Sequence, residues 1–266
     1  LVSRVLIVAL LVTAAPVWGG QSRQLCLSCH SVHYAERGGC SDCHLGNPGT
    51  ERKNIAHAGL RSGKYALFTL GDSALLREGQ GLMDLLACRR CHVSAGRGNS
   101  LAASLDGAAM RKSAGELALS IRLPVANMPN FSLDEARITT LVNIILAGSL
   151  GRETDHTAPV KVHYKDSAKK NLDIFSKKCG GCHRIVSERL GAIGTSDTGP
   201  NLSGLFSSYY PKSFKSGGIW NAQNLRTWLK NPRETRQWTR MQPVALTENE
   251  MNELESIIII SKTLSN

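Results

Sequence analysis

All eight cysteines of this 266-residue chain fall into four Cys-x-x-Cys-His motifs, and nothing else in the sequence constrains the fold as strongly. The motifs are Cys26-Leu27-Ser28-Cys29-His30, Cys40-Ser41-Asp42-Cys43-His44, Cys88-Arg89-Arg90-Cys91-His92 and Cys179-Gly180-Gly181-Cys182-His183. In each, two thiols stand about one helical turn apart and an imidazole follows directly. The first two motifs begin only fourteen positions apart, so whatever they hold must lie close together.

Paired Cys-x-x-Cys motifs also build zinc ribbons and disulfide frameworks, and a lone copy would leave those readings open. A histidine in the same place four times out of four favours covalent haem. The thiols bond the vinyl groups and the imidazole reaches the iron. The expectation is four haem c groups, bound through Cys26, Cys29, Cys40, Cys43, Cys88, Cys91, Cys179 and Cys182, with His30, His44, His92 and His183 on iron. Aromatic residues make up only 5% of the chain, which small haem domains tolerate because a porphyrin fills volume that side chains would otherwise fill.

Residues 1–20 carry one arginine, an apolar run and then small residues, the layout of a secretory signal peptide. The competing reading, an N-terminal membrane anchor, needs a longer apolar run. Export to a periplasmic or other extracytoplasmic compartment follows. Thiols there would ordinarily pair, and haem attachment explains why they stay apart. The formal charge is +11, and residues 161–266 hold sixteen Lys/Arg against nine Asp/Glu. Outside the cytoplasm such a balance excludes nucleic acid as a partner and favours acidic redox proteins, anionic membrane surfaces or oxyanions.

Three modules follow the leader. Residues 21–65 hold two motifs and almost no apolar periodicity, so their order must come from their cofactors. Besides His30 and His44 the module has His33, His57 and no methionine, a count that matches two irons each lacking a second axial ligand. Reach assigns His33 to the haem of His44 and His57 to that of His30, with the opposite pairing left open.

Residues 70–150 read as a helix running into the third motif, with an apolar face of Leu75, Leu76, Leu82, Leu85 and Leu86. A second helix carries Ile138, Leu141, Val142, Ile145 and Leu146, with Ser132 and Glu135 at capping-box spacing and Gly148 as its stop. Met128, beside Pro129, is the expected sixth ligand, and Met83 and Met110 are expected to pack. Residues 165–266 repeat the scheme: helix, motif, Met241 before Pro243, then a helix capped by Thr247 and Glu250. Met241 is the expected ligand and Met251 the packing residue. The Pro200 carbonyl is expected to hold the His183 ring, and Asn221 to cap a further helix. His156 and His163 read as solvated linker residues.

Residues 70–150 and 165–266 resemble class I cytochrome c domains in their helix, Cys-x-x-Cys-His motif, Met-Pro loop and C-terminal helix. Gly199-Pro200-Asn201-Leu202 fits that family, whereas the earlier module has "GRGNSLAASLDG" in its place. Residues 21–60 resemble the closely spaced bis-histidine pairs of multihaem cytochromes. The full order is similar to exported multihaem cytochromes of metal-reducing bacteria that accompany selenite/tellurite reduction operons. The resemblance implies a mainly α protein with a small dihaem head of little regular structure and two helical cytochrome c-like domains. Haems with two strong protein ligands have no place for a substrate, so the expectation is an electron carrier rather than an enzyme, serving redox proteins, an outer-membrane conduit or a quinol-oxidising membrane donor. Its rivals are a reductase or peroxidase with one vacant distal site and an obligate subunit of an outer-membrane conduit.

Overall fold

The computed structural model describes residues 25–71, 73–125, 127–152 and 173–260. The leader at 1–20 and the linker histidines His156 and His163 lie outside them. The chain divides into two compact bodies, residues 1–60 and 61–266. The protein is mainly α, and the two short strands of its one hairpin are its only named β-strands among the described residues.

In the first body no residue from 25 to 60 is buried. Its regular structure is limited to 3-10 turns at Leu25–Ser28 and Ala35–Arg37, helix α1 at Cys40–His44, which is the second motif itself, and α2 at Lys53–Ala56. Backbone bonds tie these together: Leu25 N–H donates to the Pro48 carbonyl (3.0 Å) and Asn47 N–H to that of Ala56 (2.9 Å). At Gly46, with φ +77°, a Cβ would lie 2.6 Å from the Ala56 carbonyl oxygen, so the crossing requires glycine.

The second body contains two cores. The first is built on α3 (Ala74–Leu85), α4 (Leu105–Arg111), α5 (Ala114–Arg122) and α6 (Glu135–Ser149). Phe68, Met83, Leu117, Ile138, Leu141, Val142, Ile145 and Leu146 fill it. Tyr65 joins the same core. Gly79 lets α3 and α6 touch, since a Cβ there would sit 2.9 Å from Ile144. The buried stripe of α3 therefore runs through Gly79 and Met83, and Leu85, expected on the apolar face, is 78% exposed. Three further expectations are corrected. Asp134, not Ser132, caps α6 by accepting from Arg137 N–H (2.8 Å), because Ser132 adopts φ +48°. The helix also continues through Gly148 to Ser149. Met110, expected to pack, is 52% exposed.

The second core belongs to α7 (Ile174–Lys178), the hairpin β1 (Ile185–Ser187) and β2 (Gly191–Ile193), α8 (Ala222–Lys230), α9 (Pro232–Thr235) and α10 (Glu248–Ile258). The strands pair antiparallel, Val186 opposite Ala192. Ile174, Phe175, Leu225, Trp228, Leu229, Met251, Leu254, Ile257 and Ile258 form the centre. Thr247 and Glu250 make the expected capping box on α10, and Asn221 caps α8. No helix among the described residues is long and apolar enough to cross a membrane.

Candidate haem sites

In the first body the four histidines fall into two pairs. The His30 and His57 ring centres lie 6.0 Å apart and those of His33 and His44 5.6 Å apart, each pair tilted by close to 45°. Two imidazoles on opposite sides of one metal, each bonded at about 2 Å, have centres roughly 6 Å apart. Each pair joins one motif histidine to one of the two others. Burial pushes the Cys40 thiol pKa up, and the neighbouring Cys26 adds to the shift, so the two motifs meet at their first cysteines.

The third motif is shaped by Arg89. Its buried guanidinium donates to the Asp84 carboxylate (2.8 Å) at the end of α3 and to the Ser94 carbonyl (3.2 Å), fixing helix and loop around Cys88. His92 Nδ1 lies 2.7 Å from the Ala103 carbonyl, which holds the ring as an N–H donor and leaves Nε2 with its lone pair. Burial lowers the His92 pKa and keeps the ring neutral.

The fourth motif repeats this arrangement atom for atom in the backbone. Asn99 N–H donates to Arg89 carbonyl (2.9 Å), and Thr195 N–H to Gly180 carbonyl (2.8 Å), the same motif position. Leu101 N–H meets the Cys91 carbonyl (3.0 Å), and Gly199 N–H that of Cys182 (2.7 Å). Gly98 (φ +128°) and Gly194 (φ +90°) press on the carbonyls of His92 and His183, where a Cβ would approach to 2.1 Å in both cases. His183 Nδ1 lies 2.8 Å from the Pro200 carbonyl, the support expected from the sequence. Gly199 completes a cradle: a Cβ there would come within 2.2 Å of Cε1 of the His183 ring.

The Met241 sulfur, half-buried against the last core, accepts from the Trp228 indole N–H at 3.0 Å. One lone pair is thereby engaged and one left over. Met128 lines a cleft of about 660 Å³ together with Pro200, Asn201 and three arginines, Arg90, Arg122 and Arg184. That cleft lies between the two helical cores, which a polar seam joins. Arg90 donates to the Asn201 carbonyl (3.0 Å), Asn201 to the Asn127 carbonyl (3.2 Å) and Asn127 to the Ile185 carbonyl (3.4 Å). The Arg90 guanidinium also stacks on Tyr210, 5.6 Å from the ring centre.

The donor chemistry fits haem c and not zinc. Burial raises the Cys88 and Cys179 thiols to about 11, as expected of cysteines packed against an apolar core. None of the eight cysteines is paired in a disulfide. Among the described residues no group of three or more His, Cys, Asp or Glu side chains converges as a closed zinc site would. The arginines of the cleft supply cations of the kind that haem carboxylates require.

The mainly α fold and the Cys-x-x-Cys-His motifs fit an electron-transfer haem protein. Comparison with known proteins gives the family. The sequence is 31% identical over 93 residues to cytochrome c of Kluyveromyces lactis, a match spanning 32% of this chain and 77% of that protein. The chain belongs to the cytochrome c family. No protein-family model and no solved structure matches it.

Proposed function

We propose that the protein is an exported tetrahaem cytochrome c that relays electrons between redox partners outside the cytoplasm. The observation that carries this is the pairing of the head histidines, with ring centres 6.0 and 5.6 Å apart, beside two further motifs whose histidines are each held by a carbonyl. Haem supplies one-electron exchange at iron when bound.

The residues divide the work. His30 with His57, and His33 with His44, serve as two bis-histidine ligand sets in a 21–65 head. His92 with Met128, and His183 with Met241, serve the modules at 70–150 and 165–266. The Ala103 and Pro200 carbonyls hold the ring tautomer that leaves Nε2 for the metal, and Trp228 orients the Met241 sulfur. Methionine in place of histidine raises the potential of a haem. The head is then a low-potential pair and the later modules higher-potential single centres. Two strong protein ligands leave no position for a substrate, which favours carriage over bond chemistry. Export through a leader at 1–20, acidic redox partners and a place on a route to metal or chalcogen oxyanions complete the reading.

A second reading has its own observation. Met128 stands in an open, arginine-lined cleft, and a module that lost this ligand would offer an anion a vacant iron. Mass spectrometry with EPR and near-infrared magnetic circular dichroism of the oxidised protein tests both. Four haem masses with two bis-His and two His/Met low-spin signals support the carrier. A stoichiometric high-spin signal overturns it in favour of a reductase or peroxidase.

A further inference from the structure

Asn201 stands where the two helical cores meet. Its side-chain oxygen accepts from Ser203 N–H (2.9 Å), and its side-chain nitrogen donates to the Asn127 carbonyl (3.2 Å). Its own carbonyl accepts twice, from the Arg90 guanidinium (3.0 Å) and from the Tyr210 hydroxyl (3.2 Å). The same guanidinium rests on the Tyr210 ring, so cation and phenol hold one oxygen together. Arg90 is itself fixed at its carbonyl, which accepts from Asn99 Nδ2 (2.9 Å) and packs against Gly204, where a Cβ would stand 2.6 Å away.

Two of these bonds act on peptide units next to candidate iron ligands. A peptide unit is planar and turns as one piece. The Asn127 carbonyl shares its unit with the nitrogen of Met128. The Pro200 carbonyl, which faces His183 Nδ1 at 2.8 Å, shares its unit with the nitrogen of Asn201. Asn127 reaches back to the fourth motif's side by donating to the Ile185 carbonyl (3.4 Å), just beyond His183 in the chain. The bonds thus close a ring from His183 through Pro200, Asn201 and Asn127 to Ile185 and back along the backbone. Met128 follows directly on that ring, and Arg90, between the two cysteines of the third motif, clamps it from the other core.

We propose that Asn201, clamped by Arg90, is a positioning residue for both haem sites of the second body. It sets the His183 ring at the fourth motif and the Met128 loop at the third, so the ligand geometry of each iron depends on the other module. The proposal rests on the assignment of His183 and Met128 as iron ligands. A contact that only joined the two cores would change stability and leave each iron's ligands as they were. A contact that positions ligands changes the signal of the haem across the seam.

The test reads the full-length oxidised holoprotein by EPR and near-infrared magnetic circular dichroism, and by redox titration. Met128→His and Met241→His serve only to assign the two His/Met signals. Arg90→Gln lies in the third motif and is read at the fourth-motif haem; Asn201→Ala lies in the fourth module and is read at the third-motif haem. Each is expected to shift the g-values of that distant signal and to change its haem's reduction constant by about fivefold or more, the low end of coupling between sites. Arg90→Lys keeps the charge and a donor without the planar fork, and is expected to recover part of the shift. Arg97→Gln removes an exposed charge from the loop after His92 and is expected to leave the fourth-motif signal in place. Distant signals unchanged in both Arg90→Gln and Asn201→Ala would overturn the proposal, whatever those variants lose in Tm. An equal shift from Arg97→Gln would overturn it too, since charge alone would then account for the effect. A wild-type holoprotein without two His/Met signals would overturn the ligand assignment, and the shared positioning with it.

Discussion

Replacing Gly199 with alanine tests the cradle of His183 at a single atom. The added Cβ would stand 2.2 Å from Cε1, 2.5 Å from Nδ1 and 2.8 Å from Nε2 of the imidazole, where ordinary contact begins near 3.4 Å. The ring must withdraw by more than about 1 Å, since the backbone on the other side is fixed by the Gly199 N–H bond to Cys182 (2.7 Å). Withdrawal breaks the 2.8 Å contact with the Pro200 carbonyl and leaves a buried ring nitrogen without its acceptor. Overpacking costs about 1–3 kcal/mol, and an unsatisfied buried polar group about 1–3 kcal/mol. Together they predict a loss of roughly 2–6 kcal/mol, or a fall in Tm on the order of 5–20 °C for a body of this size. Circular dichroism melting reads the stability, and EPR reads whether one low-spin signal of the oxidised holoprotein is lost or altered. Gly81→Ala, on α3 with no atom within 4 Å of the added Cβ, is the control and is expected to melt no lower than wild type. A Gly199→Ala protein within about 0.5 kcal/mol of wild type and with all low-spin signals intact would refute the tight cradle.

The remaining predictions address the seam, the head and the surface. Gly204→Ala forces alanine into φ +70°, at about 1–2 kcal/mol, and drives a Cβ to 2.6 Å from the Arg90 carbonyl, so amide exchange in the 90–99 loop is expected to accelerate. Unchanged exchange there would mean the two cores are not held by this contact. His57→Ala and His33→Ala are each expected to convert one bis-histidine EPR signal to high spin, independently of the other; loss of both signals from one substitution would refute separate pairs. Lys64 and Arg122 hold the Glu135 carboxyl below its ordinary pKa. A depressed carboxylate stabilises the fold above its unfolded pKa and loses that contribution as pH falls through the folded value. Tm should therefore drop less on acidification below about pH 4.5 in Glu135→Gln than in wild type, and parallel pH curves would count against the bridge.

What the sequence made legible was chemistry that needs particular side chains. The Cys-x-x-Cys-His motifs, the Pro200 support of His183 and the Thr247/Glu250 cap all depend on residue types at fixed local spacing, and the structure has the last two as drawn. The Ala103 support of His92 was invisible because any residue supplies a carbonyl. Ser132 looked like a cap on spacing alone, but Asn130 accepts its N–H and turns the chain, handing the role to Asp134. Leu85 was misplaced because the buried face of α3 is set by a glycine, Gly79, which carries no hydrophobic signal. The Arg90–Asn201 bond spans 111 positions and has no local trace.

The absence of any buried residue between 25 and 60 makes cofactor supply a step in quality control. A segment this short has no apolar interior with which to hold itself closed, and below about 40 residues a chain usually needs a metal or a cross-link to fold at all. The neighbouring body, by contrast, owns two hydrophobic cores. In a cell short of haem, the head would stay open to the attachment machinery and to proteases alike. On the proposed function, shortage would thus expose the head before the helical body, so the proportion of intact chains records how much haem was at hand when they were made.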